Sequence, residues 1–169
     1  MMRALIAVGS NLGYRSKNLE AAKSLIEKNR RSKILKNSPT YETEPVGGPP
    51  QGKYLNAVWE LKTTLKPRQL LEELLKVEAL LGRERKEKNA PRTLDLDLLF
   101  YENQVIHEPG LNVPHPRLAE RVFVLKPLAD IAPEWIHPEL GKTVKFLWEE
   151  ICARDKAQIC SEFERDTKP

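Results

Sequence analysis

Asp95 and Asp97 are the side chains of this sequence best placed to do chemistry. They sit in Leu94-Asp95-Leu96-Asp97-Leu98, where leucine and aspartate alternate. Successive side chains of a β-strand point to opposite faces, so both carboxylates share one face and the leucines bury the other. Their spacing along such a strand is about 7 Å. Two acids held that close repel each other, and a hard divalent cation relieves the repulsion. Magnesium takes oxygen ligands, is held by one or two carboxylates, and completes its shell with water and phosphate. Arg92 lies just ahead, and a guanidinium pairs with phosphate oxygens bidentately. A solvated strand face carrying two surface acids gives the same alternation, so the pattern alone leaves both readings open.

Other candidates flank this stretch. Tyr54-Leu55-Asn56-Ala57-Val58-Trp59-Glu60-Leu61 also alternates, with Tyr54, Asn56 and Val58 on one face. Asn56 offers a donor and an acceptor to a heterocycle edge, and Tyr54 a ring to stack on it. Packing or a surface bond explains either residue as simply. The loop Gly82–Arg92 is densely basic, with Arg83, Arg85, Lys86 and Arg92 beside the aspartates. It reads as a cationic lid over a polyphosphate or as an ordinary solvated connection. His115 stands between Pro114 and Pro116, so it is held, either for structure or for a ligand. Gly9-Ser10-Asn11-Leu12-Gly13 has the look of a phosphate loop. It lacks the Lys-Ser/Thr ending, so it reads as a tight turn.

The elements that position these residues follow from periodicity. Ala4–Val8 is a short apolar run, a buried first strand. Leu19, Ala22, Leu25 and Ile26 recur at helical spacing and predict a helix from about Ser16 to Lys28. Ile34–Tyr41 is a second strand, interrupted by Pro39 and so at an edge or bulged. A Pro/Gly loop from Thr43 to Gly52 leads into the Tyr54 strand, and a loop of that length tends to be functional. Pro67 opens a helix whose stripe is Leu70, Leu74, Val77 and Leu81, closed by Gly82. After the aspartate strand, Tyr101–Gln104 predicts a turn and Val105-Ile106 a short return strand. Leu111–Arg117 is a restrained loop, Arg121–Ala129 a helix with Pro127 near its end, and Val144, Leu147, Trp148 and Ile151 mark a last helix. From about Ala153 the chain is polar and predicts a frayed tail. The order strand-helix-strand-strand-helix-strand gives an α+β, ferredoxin-like βαββαβ sheet with a C-terminal helical addition.

At 169 residues the chain reads as a single domain, with 40% hydrophobic and 31% charged residues. No apolar run reaches the roughly 20 residues of a membrane span. The apolar start is too short for a signal peptide and runs into a glycine turn. Cys152 and Cys160 lack metal spacing and read as free thiols in a reducing cytoplasm. The net charge of +4 suits an anionic substrate and equally nucleic acid.

The run Lys88-Asn89-Ala90-Pro91-Arg92-Thr93-Leu94-Asp95-Leu96-Asp97-Leu98-Leu99 resembles the signature of the 6-hydroxymethyl-7,8-dihydropterin pyrophosphokinase family. Gly9-Ser10-Asn11, Tyr54-Leu55-Asn56 and Val113-Pro114-His115 extend the resemblance from Ala4 to about Ile151. It implies a ferredoxin-like fold and transfer of the terminal pyrophosphoryl group of ATP to a dihydropterin, a step of folate synthesis. ATP is then a co-substrate, and two magnesium ions lie on Asp95 and Asp97. It further implies that Arg83 and Arg92 assist catalysis, with Asp95 and Asp97. Arg85, Lys86, Arg92, Leu98, His115 and Arg121 would bind ATP. Thr43, Glu44 and Val46 would read the pterin by their backbone, Tyr54 and Phe123 would stack on it, and Asn56 would read its edge. A cytoplasmic monomer acting on small molecules, without nucleic acid or membrane, is the corresponding expectation. Glu44 and Pro116 depart from proline and tyrosine found in some members. The basic loop lacks a tryptophan that some members carry, and its nearest counterpart is Asn89.

Two rivals come from other classes. A nucleic-acid module fits the basic charge, but the expected aromatic motif on adjacent strands is absent. A regulatory domain that only binds a small molecule has no use for two aspartates beside four basic residues.

Overall fold

The computed structural model describes residues 1–45, 48–82 and 92–154, and the backbone of Glu164–Arg165. Strand β1 (Met2–Ser10) is followed by α1 (Arg15–Lys28), β2 (Ser32–Asn37), β3 (Tyr41–Thr43), β4 (Tyr54–Thr63), α2 (Pro67–Leu80) and β5 (Asp95–Tyr101). Then come β6 (Ile106–Glu108), β7 (Leu111–Val113), α3 (Val122–Ile131), α4 (Val144–Arg154) and β8 (Glu164–Arg165). The main sheet runs β5-β1-β4-β3-β8, with β2 also on β4, and every pairing is antiparallel. Counting β2 and β3 as one broken strand, this is the ferredoxin-like order expected from the sequence. Pro39 causes the break, and Ser38 bridges it by donating its N–H to Val58 O and accepting the Val58 N–H on Oγ.

Alternation divides the core in two. Ile6, Val8, Leu55, Ala57, Trp59, Leu94, Leu96 and Leu98 meet Leu19, Ile26, Leu70 and Leu74 of α1 and α2. On the other face, Leu5, Val58, Leu99 and Phe100 meet Leu125 and Leu128 of α3 and Val144, Leu147 and Ile151 of α4. The faces do not mix because a strand's side chains alternate strictly until a bulge intervenes. One does in β5: Leu5 faces Phe100 while Ile6 faces Leu98, so Leu99 is the extra residue. The bulge lets Leu99 and Phe100 both serve the α3/α4 core. It returns Tyr101 to the α1/α2 side, where its hydroxyl donates to Leu65 O.

Three expectations need correction. The return strand at Val105-Ile106 does not pair with β5. It starts at Ile106 and forms a separate two-stranded sheet with β7, inside what was expected to be loop. Gly110, at φ +74°, supplies the left-handed turn between them. The helix expected at Arg121–Ala129 spans Val122–Ile131, so Pro127 lies within it and removes the donor for the Phe123 carbonyl. The tail expected from about Ala153 lies mostly outside the described residues, but α4 runs on to Arg154, and Glu164–Arg165 pair with Tyr41 and Glu42 at the β3 edge. No helix among the described residues is long and apolar enough to cross a membrane.

Candidate functional site

The α3/α4 layer covers only part of its sheet face. Beyond it lies a cavity of about 620 Å³, a volume suited to a small-molecule substrate. Its floor is set by register. Gly9 of β1 lies between Asn56 of β4 and Asp95 of β5, and Ala7 lies between Val58 and Asp97. Two rows therefore cross three strands, Asn56–Gly9–Asp95 and Val58–Ala7–Asp97, with the smallest side chains in the middle. Asn56 and Asp95 stand two strand spacings apart, about 10 Å. A Cβ at Gly9 would come 2.9 Å from Asn56 Oδ1, so any larger residue displaces that amide. The sequence reading treated Gly9 as a turn residue, and its parity with Asn56 appears only once β1 is paired.

Asn56 donates to the Thr43 hydroxyl at 2.6 Å, which fixes the amide's orientation and ties it to the end of β3. Thr43, Glu44, Tyr54, Asn56, Arg92, Asp95, Asp97, Arg121 and Phe123 all line the cavity, so the fold gathers these candidates in one place. Phe123 opens α3 and faces the sheet from above, while Tyr54 opens β4 below. The Arg121 guanidinium lies 5.6 Å from the Phe123 ring centroid and 4.0 Å from Asp97. Arg92 pairs with Asp95 at 2.9 Å. Asp95 and Asp97 keep 21% and 34% of their side-chain surface, enough to meet a ligand.

Leu98 points the other way, into the α1/α2 core at 5% exposure, and is not brought to the cavity. His115 lies at the end of β7 after the cis Val113–Pro114 bond. The Leu99 bulge positions it, because Leu99 O accepts the His115 N–H at 3.0 Å. Burial, then the Arg121 guanidinium, lower its pKa to about 4, with Arg117 adding to this and Asp95 opposing. His115 is therefore neutral at physiological pH. Its Nδ1 accepts the Arg117 N–H at 3.2 Å, which leaves Nε2 to carry the proton as a donor. Val46, Arg83, Arg85 and Lys86 lie outside the described residues, as do Asn89 and Cys160.

Asn11 is a second residue the sequence reading passed over as turn chemistry. It is buried, and its Nδ2 donates to Gln51 Oε1 at 2.6 Å and to Gly52 O at 3.2 Å. Its Oδ1 accepts the Arg92 N–H at 2.8 Å, and its own N–H donates to Arg92 O. One amide thus joins the loop before β4 to the residue that opens the aspartate strand. No local signal carries this, since the partners lie 40 and 81 residues away. Arg117 and Glu120 also line the cavity and were not among the candidates.

The residues fit magnesium. Both aspartates are hard oxygen donors on an open wall of the cavity. That is the donor set of an ion that keeps several positions for water and phosphate.

Comparison with known proteins follows the same lines. The family model described as 7,8-dihydro-6-hydroxymethylpterin-pyrophosphokinase (HPPK) matches residues 5–133. The chain is 40% identical over 148 residues to a 2-amino-4-hydroxy-6-hydroxymethyldihydropteridine pyrophosphokinase of Synechocystis sp., covering 88% of this chain and 75% of that protein. It is 44% identical over 131 residues to the protein of that name from Bacillus subtilis, covering 78% of each. The folic acid synthesis protein fol1 of Pneumocystis carinii is 42% identical over 151 residues, but the match covers only 20% of that longer protein. Among solved structures, Plasmodium falciparum HPPK-DHPS superposes with a TM-score of 0.76 at 18% identity, over 98% of this chain. The match covers 47% of that chain, about half its length, and at this identity it speaks for the fold alone.

Proposed function

The chain belongs to the 7,8-dihydro-6-hydroxymethylpterin-pyrophosphokinase family, and on that premise we propose that it moves the terminal pyrophosphoryl group of ATP onto 6-hydroxymethyl-7,8-dihydropterin. The products are AMP and the dihydropterin diphosphate, a step of folate biosynthesis. The observation that carries the reading is the row Asn56–Gly9–Asp95, which sets a heterocycle-reading amide and a carboxylate pair on one cavity floor.

In this reading the pterin ring lies between Tyr54 and Phe123, where two aromatic faces offer stacking over a large apolar area. Asn56, held by Thr43, reads the ring edge, with main-chain groups of Thr43 and Glu44 beside it and Val46 assigned the same role. The hydroxymethyl arm then points along the floor over Gly9 and Ala7 toward the aspartates. Two magnesium ions on Asp95 and Asp97 would neutralise phosphate charge and polarise the phosphoryl oxygens. Arg92 and Arg121, which pair with those aspartates, stand beside them where they can turn to the phosphates. His115 donates from Nε2 without adding charge. Arg83, Arg85 and Lys86 supply further cations, and Leu98, whose side chain is buried in the α1/α2 core, can meet the nucleotide only through its main chain.

The hydroxymethyl oxygen attacks the β-phosphorus, the bond from that phosphorus to the α–β bridging oxygen breaks, and AMP leaves with that oxygen. The hydroxyl proton passes to solvent water as the new P–O bond forms. Such transfer depends on positioning and electrostatic stabilisation more than on covalent groups of the protein.

Separating the nucleotides after incubation with ATP, magnesium and the hydroxymethyl dihydropterin tests the reading. AMP formed in step with pterin diphosphate is expected. ADP in its place means a simple phosphoryl kinase, and no turnover by folded protein removes the reading. Asp97→Asn is expected to keep the fold and lose at least about 100-fold in kcat. Full activity in that variant would remove the metal assignment.

A further inference from the structure

The charged groups around the cavity are mostly committed to each other. Arg92 pairs with Asp95, Arg121 lies against Asp97 and over Phe123, and Glu44 pairs with Lys53 at 3.5 Å. Arg117 is different. It lines the cavity, yet its guanidinium makes no hydrogen bond, ion pair or ring contact with any described residue. Glu120, one short helical turn on, does not pair with it.

The backbone of Arg117 is nevertheless fixed. Its N–H donates to His115 Nδ1 at 3.2 Å, and its carbonyl accepts the Glu120 N–H at 3.1 Å. It caps the 3-10 turn Leu118–Glu120, and Leu118 is fully buried in the α3/α4 core. Pro116 restricts the chain just before it. A rigid base thus carries a long, uncommitted cation at the cavity rim, and its charge reaches His115, whose pKa it helps to lower.

A guanidinium presents a planar fork that matches two oxygens of one phosphate group. Arg92 and Arg121 must first loosen an existing ion pair before they can bind an anion, whereas Arg117 has none to break. We propose that Arg117 is an anion-binding residue of the nucleotide half-site, the first cation to capture the phosphate chain of ATP before the aspartate-bound arginines rearrange. This rests on the nucleotide reading of the cavity proposed above. The role is one of affinity and capture, so it belongs in KM and the binding constant rather than in the chemical step.

The test uses the full chain with Arg117→Ala, Arg117→Lys and Arg117→Glu. In the AMP-release assay, Arg117→Ala is expected to raise the ATP KM about 5- to 20-fold with kcat within twofold and the pterin KM unchanged. Arg117→Lys should recover part of this, and Arg117→Glu should be worse than alanine. Unchanged melting temperatures exclude a merely structural effect. An ATP KM within twofold of the parent, or a loss confined to kcat, overturns the proposal. Titration calorimetry with inorganic tripolyphosphate separates it from the enzymatic reading. If the parent protein makes no AMP, the pyrophosphokinase reading fails, but weaker tripolyphosphate binding by Arg117→Ala still supports the anion site. Equal binding by parent and variant overturns it.

Discussion

At the residue scale, the site depends as much on small side chains as on charged ones. Gly9 is the clearest case, because a single methyl there would press on Asn56 Oδ1 at 2.9 Å. Gly9→Ala should therefore fold, raise the pterin KM about tenfold, and leave the ATP KM near its parent value. Steady-state kinetics with each substrate varied would check this, and equal KM values for pterin would show that Asn56 does not read it. Charged residues were easier to find. Asp95 and Asp97 announced themselves by alternation, and Arg92 by its position beside them. Gly9 and Ala7 did not, because a small residue in a strand carries no chemical signal until its cross-strand neighbours are known.

At the element scale, a β-bulge and one asparagine place the machinery. Leu99 interrupts the β5 register, and its carbonyl docks the His115 N–H. Asn11, at the end of β1, holds Gln51 and Gly52 on one side and Arg92 on the other. Removing that amide strands buried polar groups, each costing about 1–3 kcal/mol. Asn11→Ala should therefore lower unfolding stability by that order, measured by denaturant titration, and reduce turnover in the remaining folded protein. Asn11→Asp is more selective. It keeps an acceptor for the Arg92 N–H and loses the donors to Gln51 and Gly52. If the two variants weaken pterin binding equally, the link to the loop before β4 is what matters. The helices that the sequence defined well, α1 and α2, lie on the far face and do not line the cavity.

For the whole molecule, two layers of helices on one sheet give two cores, and the shorter layer leaves room for the cavity. Leu125 is fully buried between α3 and the sheet, so Leu125→Ala should cost about 2–5 kcal/mol and loosen the helix that carries Phe123. Acid should act globally. His115 is held neutral with a pKa of about 4 against an ordinary 6.5, and burial also lowers that of His137. Between those values the unfolded chain binds more protons than the folded one, so stability rises with pH. It should be intact above about pH 6.5 and fall as the pH drops toward 4. Melting curves across that range, with His115→Gln for comparison, would show it. The variant should lose part of the slope. An identical slope would mean that the imidazole is solvated in the folded state.

Local features are legible along the chain: strands by alternation, helices by apolar stripes, and the candidate acids and bases by type and spacing. The sequence also carried the family signature, because that signature is contiguous. It placed a loop where β7 of the β6–β7 hairpin stands, and it did not show that Glu164–Arg165 pair with β3, whose residues lie far back along the chain. Which residues share a wall follows from the folding of the strands against one another. Asn56, Gly9 and Asp95 form one row because three strands are in register, and Arg117 reaches the cavity rim without an ion pair among the described residues. The physical reason is that alternation and helical period act over a few residues, whereas register, burial and ion pairing are properties of surfaces brought together by the fold.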